Sequence, residues 1–151
     1  MQIFLDIDGV MVPAKSWKSP ELLDDGFPAF SARAIKTLQR LISNETTIVL
    51  TTSHKSFFSI EGWKQIFRNR NINIERIEVL PANVENISRK EEITNWFNTH
   101  LISEPFVIID DDRSLNDLPE NLKENLIQTS PLIGLTEDHL ELINSIPIKS
   151  S

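Results

Sequence analysis

The 151-residue chain contains no cysteine, so it can build neither a disulfide framework nor a thiolate zinc site. It also lacks any run of eighteen apolar residues, and its first apolar stretch is interrupted by Asp6 and Asp8. That excludes a membrane helix and the pattern of a secretory signal, which leaves the expectation of a cytoplasmic protein with no membrane partner. Repeats, low-complexity tracts and linker-like stretches are missing too. The expectation is one domain over residues 1–151, with 40% hydrophobic residues, able to bury roughly 68–70% of its unfolded surface. Basic residues are scarce only toward the end. Residues 1–100 hold 12 acids and 12 bases, whereas 101–151 hold 10 acids and 3 bases. The net charge of −7 is therefore a carboxyl-terminal property. It does not oppose an anionic ligand near the amino-terminal half, and it gives no sign of a large nucleic-acid footprint.

What is present begins with Ile3-Phe4-Leu5-Asp6-Ile7-Asp8-Gly9-Val10. A continuously apolar run reads as a strand covered on both faces. The two acids that end it sit one residue apart, where period-2 geometry sends them to the same side and Gly9 lets the backbone leave the sheet. Like charges that close repel unless a cation, a proton or a basic side chain joins them, so the pair calls for a metal. Residues 11–30 read as an irregular loop or flap over the site, too broken by Pro13, Pro20, Gly26 and Pro28 for a long helix. From Ser31, a plausible N-cap, Ala34, Ile35, Leu38, Leu41 and Ile42 have amphipathic helical spacing. Thr46 to Thr51 forms a β-branched second strand. A helix with Ile60, Trp63, Ile66 and Phe67 on one side follows, then a third strand near Ile74 to Leu80. Ser88-Arg89-Lys90-Glu91 has capping-box spacing and opens a helix with Ile93, Trp96, Phe97 and Leu101 on one face. Phe106 to Ile109 is a fourth strand running into Asp110-Asp111-Asp112. Leu126 to Thr129 reads as a fifth, and Thr136 as the cap of a last helix carrying Leu140 and Ile143. This alternation predicts an α/β, three-layer Rossmann-like domain with a central parallel sheet of about five strands and helices on both faces.

Ligands of open α/β sheets bind outside the carboxyl ends of the strands. Three such ends carry reactive groups: Asp6 with Asp8, Thr51, and Asp110 with Asp111. Lys90 stands at a helix amino terminus, where the dipole disfavours a cation unless an anion such as phosphate accompanies it. Each signal has a plainer reading. Thr51 alone reads equally as a satisfied strand-end hydroxyl. Lys90 alone reads as a solvated first-turn residue whose role Arg89 could take, and Asp112 as exposed. His54 reads as a plain surface histidine rather than as a residue that contacts a leaving group, while His100 and His139 read as structural.

In this order, Asp6-Ile7-Asp8-Gly9-Val10, Thr51, Lys90 and Asp110-Asp111 resemble the four motifs of the haloacid dehalogenase (HAD) superfamily, most of whose members are Mg²⁺-dependent phosphohydrolases. The resemblance covers nearly the whole chain. It implies a phosphomonoesterase in which Asp6 forms an aspartyl-phosphate and Asp8 acts as general acid/base. It further implies that Thr51 and the Thr52 N–H bind phosphoryl oxygens, with Lys90 neutralising charge. Mg²⁺ would be held by Asp6, the Asp8 backbone carbonyl, and Asp110 or Asp111. Larger members insert a cap after the first motif or before the third. Here neither interval has room, so the chain looks capless, similar to small HAD domains of bacterial RNA-repair-like proteins. An open site suits a bulky phosphorylated substrate, a polynucleotide end or a phosphoprotein, and a homo-oligomer in which a partner subunit closes the site is the alternative. Trp17 between Lys15 and Lys18 reads either as a base-stacking residue or as packing for the loop. Two other functions fit the same fold: a phosphoacceptor signalling domain and a catalytically silent interaction module. Receiver domains, however, place an acid pair first and the lysine last, whereas here Lys90 precedes the second acid pair.

Overall fold

The structure, a computed structural model, describes residues 1–14, 19–100 and 104–146. Lys15, Trp17, Lys18 and Leu101 lie outside the described residues. Five parallel strands form one sheet: β1 (Gln2–Leu5), β2 (Thr47–Leu50), β3 (Arg76–Val79), β4 (Phe106–Asp110) and β5 (Leu126–Gln128), in the order β3-β2-β1-β4-β5. The expected class is therefore the observed one, including the fifth strand. The strands are shorter than expected at β2 and β3, while β4 extends one residue further, through Asp110.

The helices are α1 (Ala32–Leu41), α2 (Ile60–Arg68), α3 (Arg89–Thr99), α4 (Glu120–Lys123) and α5 (Asp138–Asn144), with a 3₁₀ turn at Arg113–Asp117. Alternation along β1 divides the core. Ile3 and Leu5 face a cluster built with Ala34, Leu38, Trp63, Ile66, Phe67 and Ile143, which belong to α1, α2 and α5. Phe4 faces Ile93, Trp96, Leu115, Leu118 and Leu122, from α3, the 3₁₀ turn and the segment through α4. A central strand covered twice must be apolar where it crosses the core, which is why β1, β2 and β4 hold the runs Ile3 to Leu5, Ile48 to Leu50 and Phe106 to Ile109.

Serines start the three longest helices. Ser31, Ser59 and Ser88 are extended N-caps whose Oγ accepts the N–H of Ala34, Gly62 and Glu91 respectively. Each such cap contributes typically about 1 kcal/mol. At Ser88 the expected reciprocal bond takes another form, because the Glu91 carboxylate meets the Ser88 hydroxyl at 3.4 Å. The last helix begins one residue later than expected, after Glu137. Thr136 instead donates its N–H to His139 Nδ1 at 3.0 Å, which gives that histidine a structural partner.

The described part of the 11–30 loop is irregular but fastened. Arg70, 3% exposed, grips the Asp25 carboxylate with both Nη atoms at 2.7 and 3.1 Å and donates to the carbonyls of Phe27 and Pro28. The Arg70 bond, stronger than the opposing effect of burial, holds the Asp25 carboxyl well below the usual carboxylate range. Phe27 and Phe30 are buried beside it. No inserted domain occurs among the described residues, either between β1 and α1 or between β3 and α3. No helix of the described residues is long and apolar enough to cross a membrane.

Candidate active site

Strand register assembles the site. Leu5 pairs with Leu50 on one side and with Ile109 on the other, so the next residues, Asp6, Thr51 and Asp110, stand in one row across the three central strands. Neighbouring strands lie about 4.8 Å apart, close enough for their side chains to touch. Thr51 Oγ1 donates to Asp110 Oδ2 at 3.2 Å. One carboxylate oxygen from each of Asp6, Asp110 and Asp111 lies within 4.8 Å of the other two.

Beyond β1 the chain turns sharply, with Ile7 O accepting from Val10, Met11 and Val12. Gly9 has φ +80, and a Cβ there would fall 2.0 Å from Asp111 Oδ2. Glycine is thus required twice, for the left-handed backbone and for the space the Asp111 carboxylate occupies. The far end of the domain secures the turn: Thr129 Oγ1 donates to Gly9 O at 2.7 Å and Leu135 N to Val10 O at 2.8 Å.

The acids occupy unlike surroundings. Asp6 is 4% exposed, with Oδ1 accepting the Ile7 N–H at 2.8 Å. Burial first, then the Asp110 charge, pushes its pKa up to about 9, against the attraction of Arg89. Asp110 is fully buried and saturated. Its Oδ2 accepts from Arg89 Nη1 at 2.5 Å as well as from Thr51, while Oδ1 accepts the Asp112 N–H at 3.1 Å. Asp111 is half-buried, and its pKa is raised by burial despite a hydrogen bond from Asp6. Asp112, expected at the surface, is half-buried and caps the 3₁₀ turn through the Ser114 N–H. Asp8 is exposed, and its Oδ2 lies 2.8 Å from His54 Nε2.

The structure brings Arg89 to the carboxylates. Its Nη1 also lies 3.6 Å from Asp6 Oδ2 and 3.4 Å from Thr51 Oγ1. Burial alone would make the guanidinium easier to deprotonate, but Asp110 and Asp6 outweigh it and hold the charge more firmly than usual. Lys90, one residue on, is half-buried and donates its backbone N–H to Ser114 Oγ at 3.2 Å. A signal for this lay in the sequence. Arg89, Ile93 and Trp96 stand at i, i+4 and i+7, and the latter two are the buried residues of α3, so Arg89 continues the inward face. Behind it stands a pair that sequence reasoning missed: Lys55 Nζ bonds Glu92 Oε2 at 2.7 Å, and Glu92 Oε1 lies 3.6 Å from Arg89 Nε. Thr52 is buried, and its Oγ1 accepts the His54 N–H at 3.2 Å, so its hydroxyl shapes the turn after β2.

A cleft of about 530 Å³ opens beside Asp8, walled by Val12, Pro13, Pro20, Ala29 and Phe30. His100 lies away from these groups, stacked on Trp96 with ring centroids 3.6 Å apart.

A doubly wound parallel sheet whose three central carboxyl ends bear an aspartate pair, a hydroxyl and a second acid pair, with a cation at a helix start, defines the HAD class of α/β domain. Within that class, the sequence model of the family described as "HAD domain in Swiss Army Knife RNA repair proteins" matches residues 2–140. The chain belongs to this family. No curated protein and no solved structure matches it.

Proposed function

We propose that this domain is a Mg²⁺-dependent phosphomonoesterase acting on the terminal phosphate of a polynucleotide. The observation that carries the reading is the row of Asp6, Thr51 and Asp110 with Arg89 laid across it. The family's description, placing its members in RNA repair proteins, supports the polynucleotide over a phosphoprotein.

Asp6 is the nucleophile. Its Oδ1 is fixed by the Ile7 N–H, which leaves Oδ2, the oxygen nearer Arg89, to attack phosphorus. As the P–O bond to the leaving group breaks, Asp8 gives that oxygen a proton. Asp8 then takes a proton from the water that attacks the aspartyl-phosphate, releasing inorganic phosphate and regenerating Asp6. The contrast between the acids supports this division: Asp6 is buried and hydrogen-bonded in place, whereas Asp8 is open to water and leaving group. Arg89 and Thr51 hold phosphoryl oxygens, with Lys90 and the Thr52 N–H as further contributors at the rim.

The donor set suits Mg²⁺. It is all oxygen, as a hard cation prefers, and the carboxyl of Asp6 retains its proton far above the ordinary range because the Arg89 charge does not offset its burial beside Asp110. Asp6, Asp111 and the Asp8 backbone carbonyl would hold the ion; Asp110, with both oxygens engaged, serves mainly to anchor Arg89. When bound, the ion would supply the positive charge that lets a carboxylate approach a phosphate.

Hydrolysis of an aryl phosphate and of 5′- and 3′-phosphorylated oligonucleotides, with Mg²⁺ and with EDTA, tests the proposal. Activity that requires Mg²⁺ and vanishes in Asp6→Asn is expected. Wild type and Asp6→Asn equally inert on every substrate would overturn it.

A further inference from the structure

The turn after β2 carries an exposed ring beside the candidate acid/base. Phe57 is 67% exposed, and its ring centroid lies 4.9 Å from that of His54, inclined by 57°. His54 in turn reaches Asp8 Oδ2 through Nε2 at 2.8 Å. Phe57 thus stands one ring away from the group assigned to the leaving oxygen.

This placement is braced. The Phe57 N–H donates to His54 O at 2.8 Å, the Lys55 N–H to Thr52 O at 3.1 Å, and the His54 N–H to Thr52 Oγ1 at 3.2 Å. Trp63 Nε1 donates to Lys55 O at 3.1 Å, which ties the turn to the core. Buried Phe27 meets the His54 ring edge-on with centroids 6.0 Å apart, and meets Phe58 and Trp63 at 5.7 and 5.4 Å. Phe27 and Trp63 are buried and Phe58 is half-buried against them, while a hydrogen-bonded turn holds the Phe57 ring in solvent. A fixed, exposed aromatic face next to a phosphate site is the feature by which proteins take unpaired bases, because every base offers a π-face to stack.

We propose that Phe57, seated against His54, is the stacking platform for the unpaired base adjacent to the phosphate that Asp6 attacks. The substrate class is then a single-stranded, terminally phosphorylated nucleic acid, rather than a blunt duplex end, whose terminal base is already stacked and paired. The inference rests on the phosphatase reading above, and its test separates the two.

The kcat/KM for 5′- and 3′-phosphorylated single-stranded oligonucleotides is compared with that for glycerol phosphate, which has no ring, in wild type, Phe57→Ala, Phe57→Leu and Phe57→Trp. Alanine and leucine are expected to lower the oligonucleotide value relative to glycerol phosphate by about 5- to 150-fold, the equivalent of the ~1–3 kcal/mol of stacking one base on an aromatic ring. The loss should enter through KM, and tryptophan should restore the wild-type ratio. Equal effects on both substrates, or none on the ratio, would overturn the platform. Equilibrium binding of a fluorescein-labelled single-stranded oligonucleotide to Asp6→Asn, with and without Phe57→Ala, reads stacking without hydrolysis. Weaker binding without Phe57 sustains the platform even if no phosphate is ever released, and unchanged binding removes it even in an active enzyme.

Discussion

Replacing Glu92 by glutamine tests the buried ion pair behind the site. Lys55 and Glu92 are 4% and 9% exposed and 2.7 Å apart, and the same carboxylate lies 3.6 Å from Arg89 Nε. Glutamine keeps the volume and removes the charge, which leaves the Lys55 ammonium in the interior without its counter-ion. Breaking a buried pair from one side costs about 3–5 kcal/mol, because desolvation of the surviving charge is no longer offset. Whole domains are stable by only about 5–15 kcal/mol. For a chain of this size each kcal/mol moves the melting temperature by roughly 2–4 °C, so Glu92→Gln should lower it by about 6–20 °C. Replacing both partners, Glu92→Leu with Lys55→Met, removes the stranded charge and should recover most of the loss. Thermal and urea denaturation followed by circular dichroism at pH 7 measure the melting temperature and the free energy of all three proteins. A single substitution costing under about 1 kcal/mol, or a double substitution worse than the single, would refute the reasoning. The double variant should nevertheless lose phosphatase activity, since Arg89 Nε would have lost the carboxylate beside it.

Other outcomes are specific. In EDTA, the raised Asp6 pKa means that the folded state holds a proton the unfolded chain releases near 3.8, so stability should fall as pH rises from about 4 toward 9. Urea midpoints at pH 5 and pH 8.5 read this directly. Asp6→Asn should flatten the difference, and an equally steep slope in that variant would assign it elsewhere. Arg89→Lys should lower kcat by 10²-fold or more, on the scale of losing an oxyanion donor, because one ammonium cannot span Asp110, Thr51 and Asp6 as a planar fork does. Lys90→Ala should change kcat by less than tenfold, and the reverse ranking in steady-state kinetics would return the central role to Lys90. Gly9→Ala should weaken Mg²⁺ binding in calorimetric titration at least tenfold, since its Cβ would displace the Asp111 carboxylate; unchanged affinity would remove Asp111 from the metal site.

The fold was legible where a single period persists. β1, β2 and β4 carry the unbroken apolar runs Ile3 to Leu5, Ile48 to Leu50 and Phe106 to Ile109, and Ser31 and Ser88 mark helix starts by mechanisms that act within four residues. The order of acids and hydroxyl at strand ends was legible for the same reason, since Asp6, Thr51 and Asp110 each follow or end an apolar run. The division between Arg89 and Lys90 was legible only from the face of α3, where Arg89 leads Ile93 and Trp96 at i, i+4 and i+7, because one residue on a helix is a rotation of about 100° and the capping motif alone does not say which side chain faces inward. Nor could local pattern reveal Lys55 with Glu92 or Arg70 with Asp25, partners 37 and 45 residues apart. His54 read as a surface residue because nothing near it in the chain shows that the turn after β2 carries it to Asp8, 46 residues earlier.

The sheet's strand order has a consequence for when this site can exist during synthesis. β1 is made first but lies at the centre, between β2 and a β4 that begins at Phe106, and the Gly9 and Val10 carbonyls wait for Thr129 and Leu135. Until those late residues leave the ribosome, β1 has one edge open and the turn that follows it, with Asp6 and Asp8, lacks its fastenings. Within this domain β1 can pair with β2 early, but its second edge stays open and Asp6 stays without Asp110 beside it until β4 docks, so strand protection and site assembly are completed by the same event.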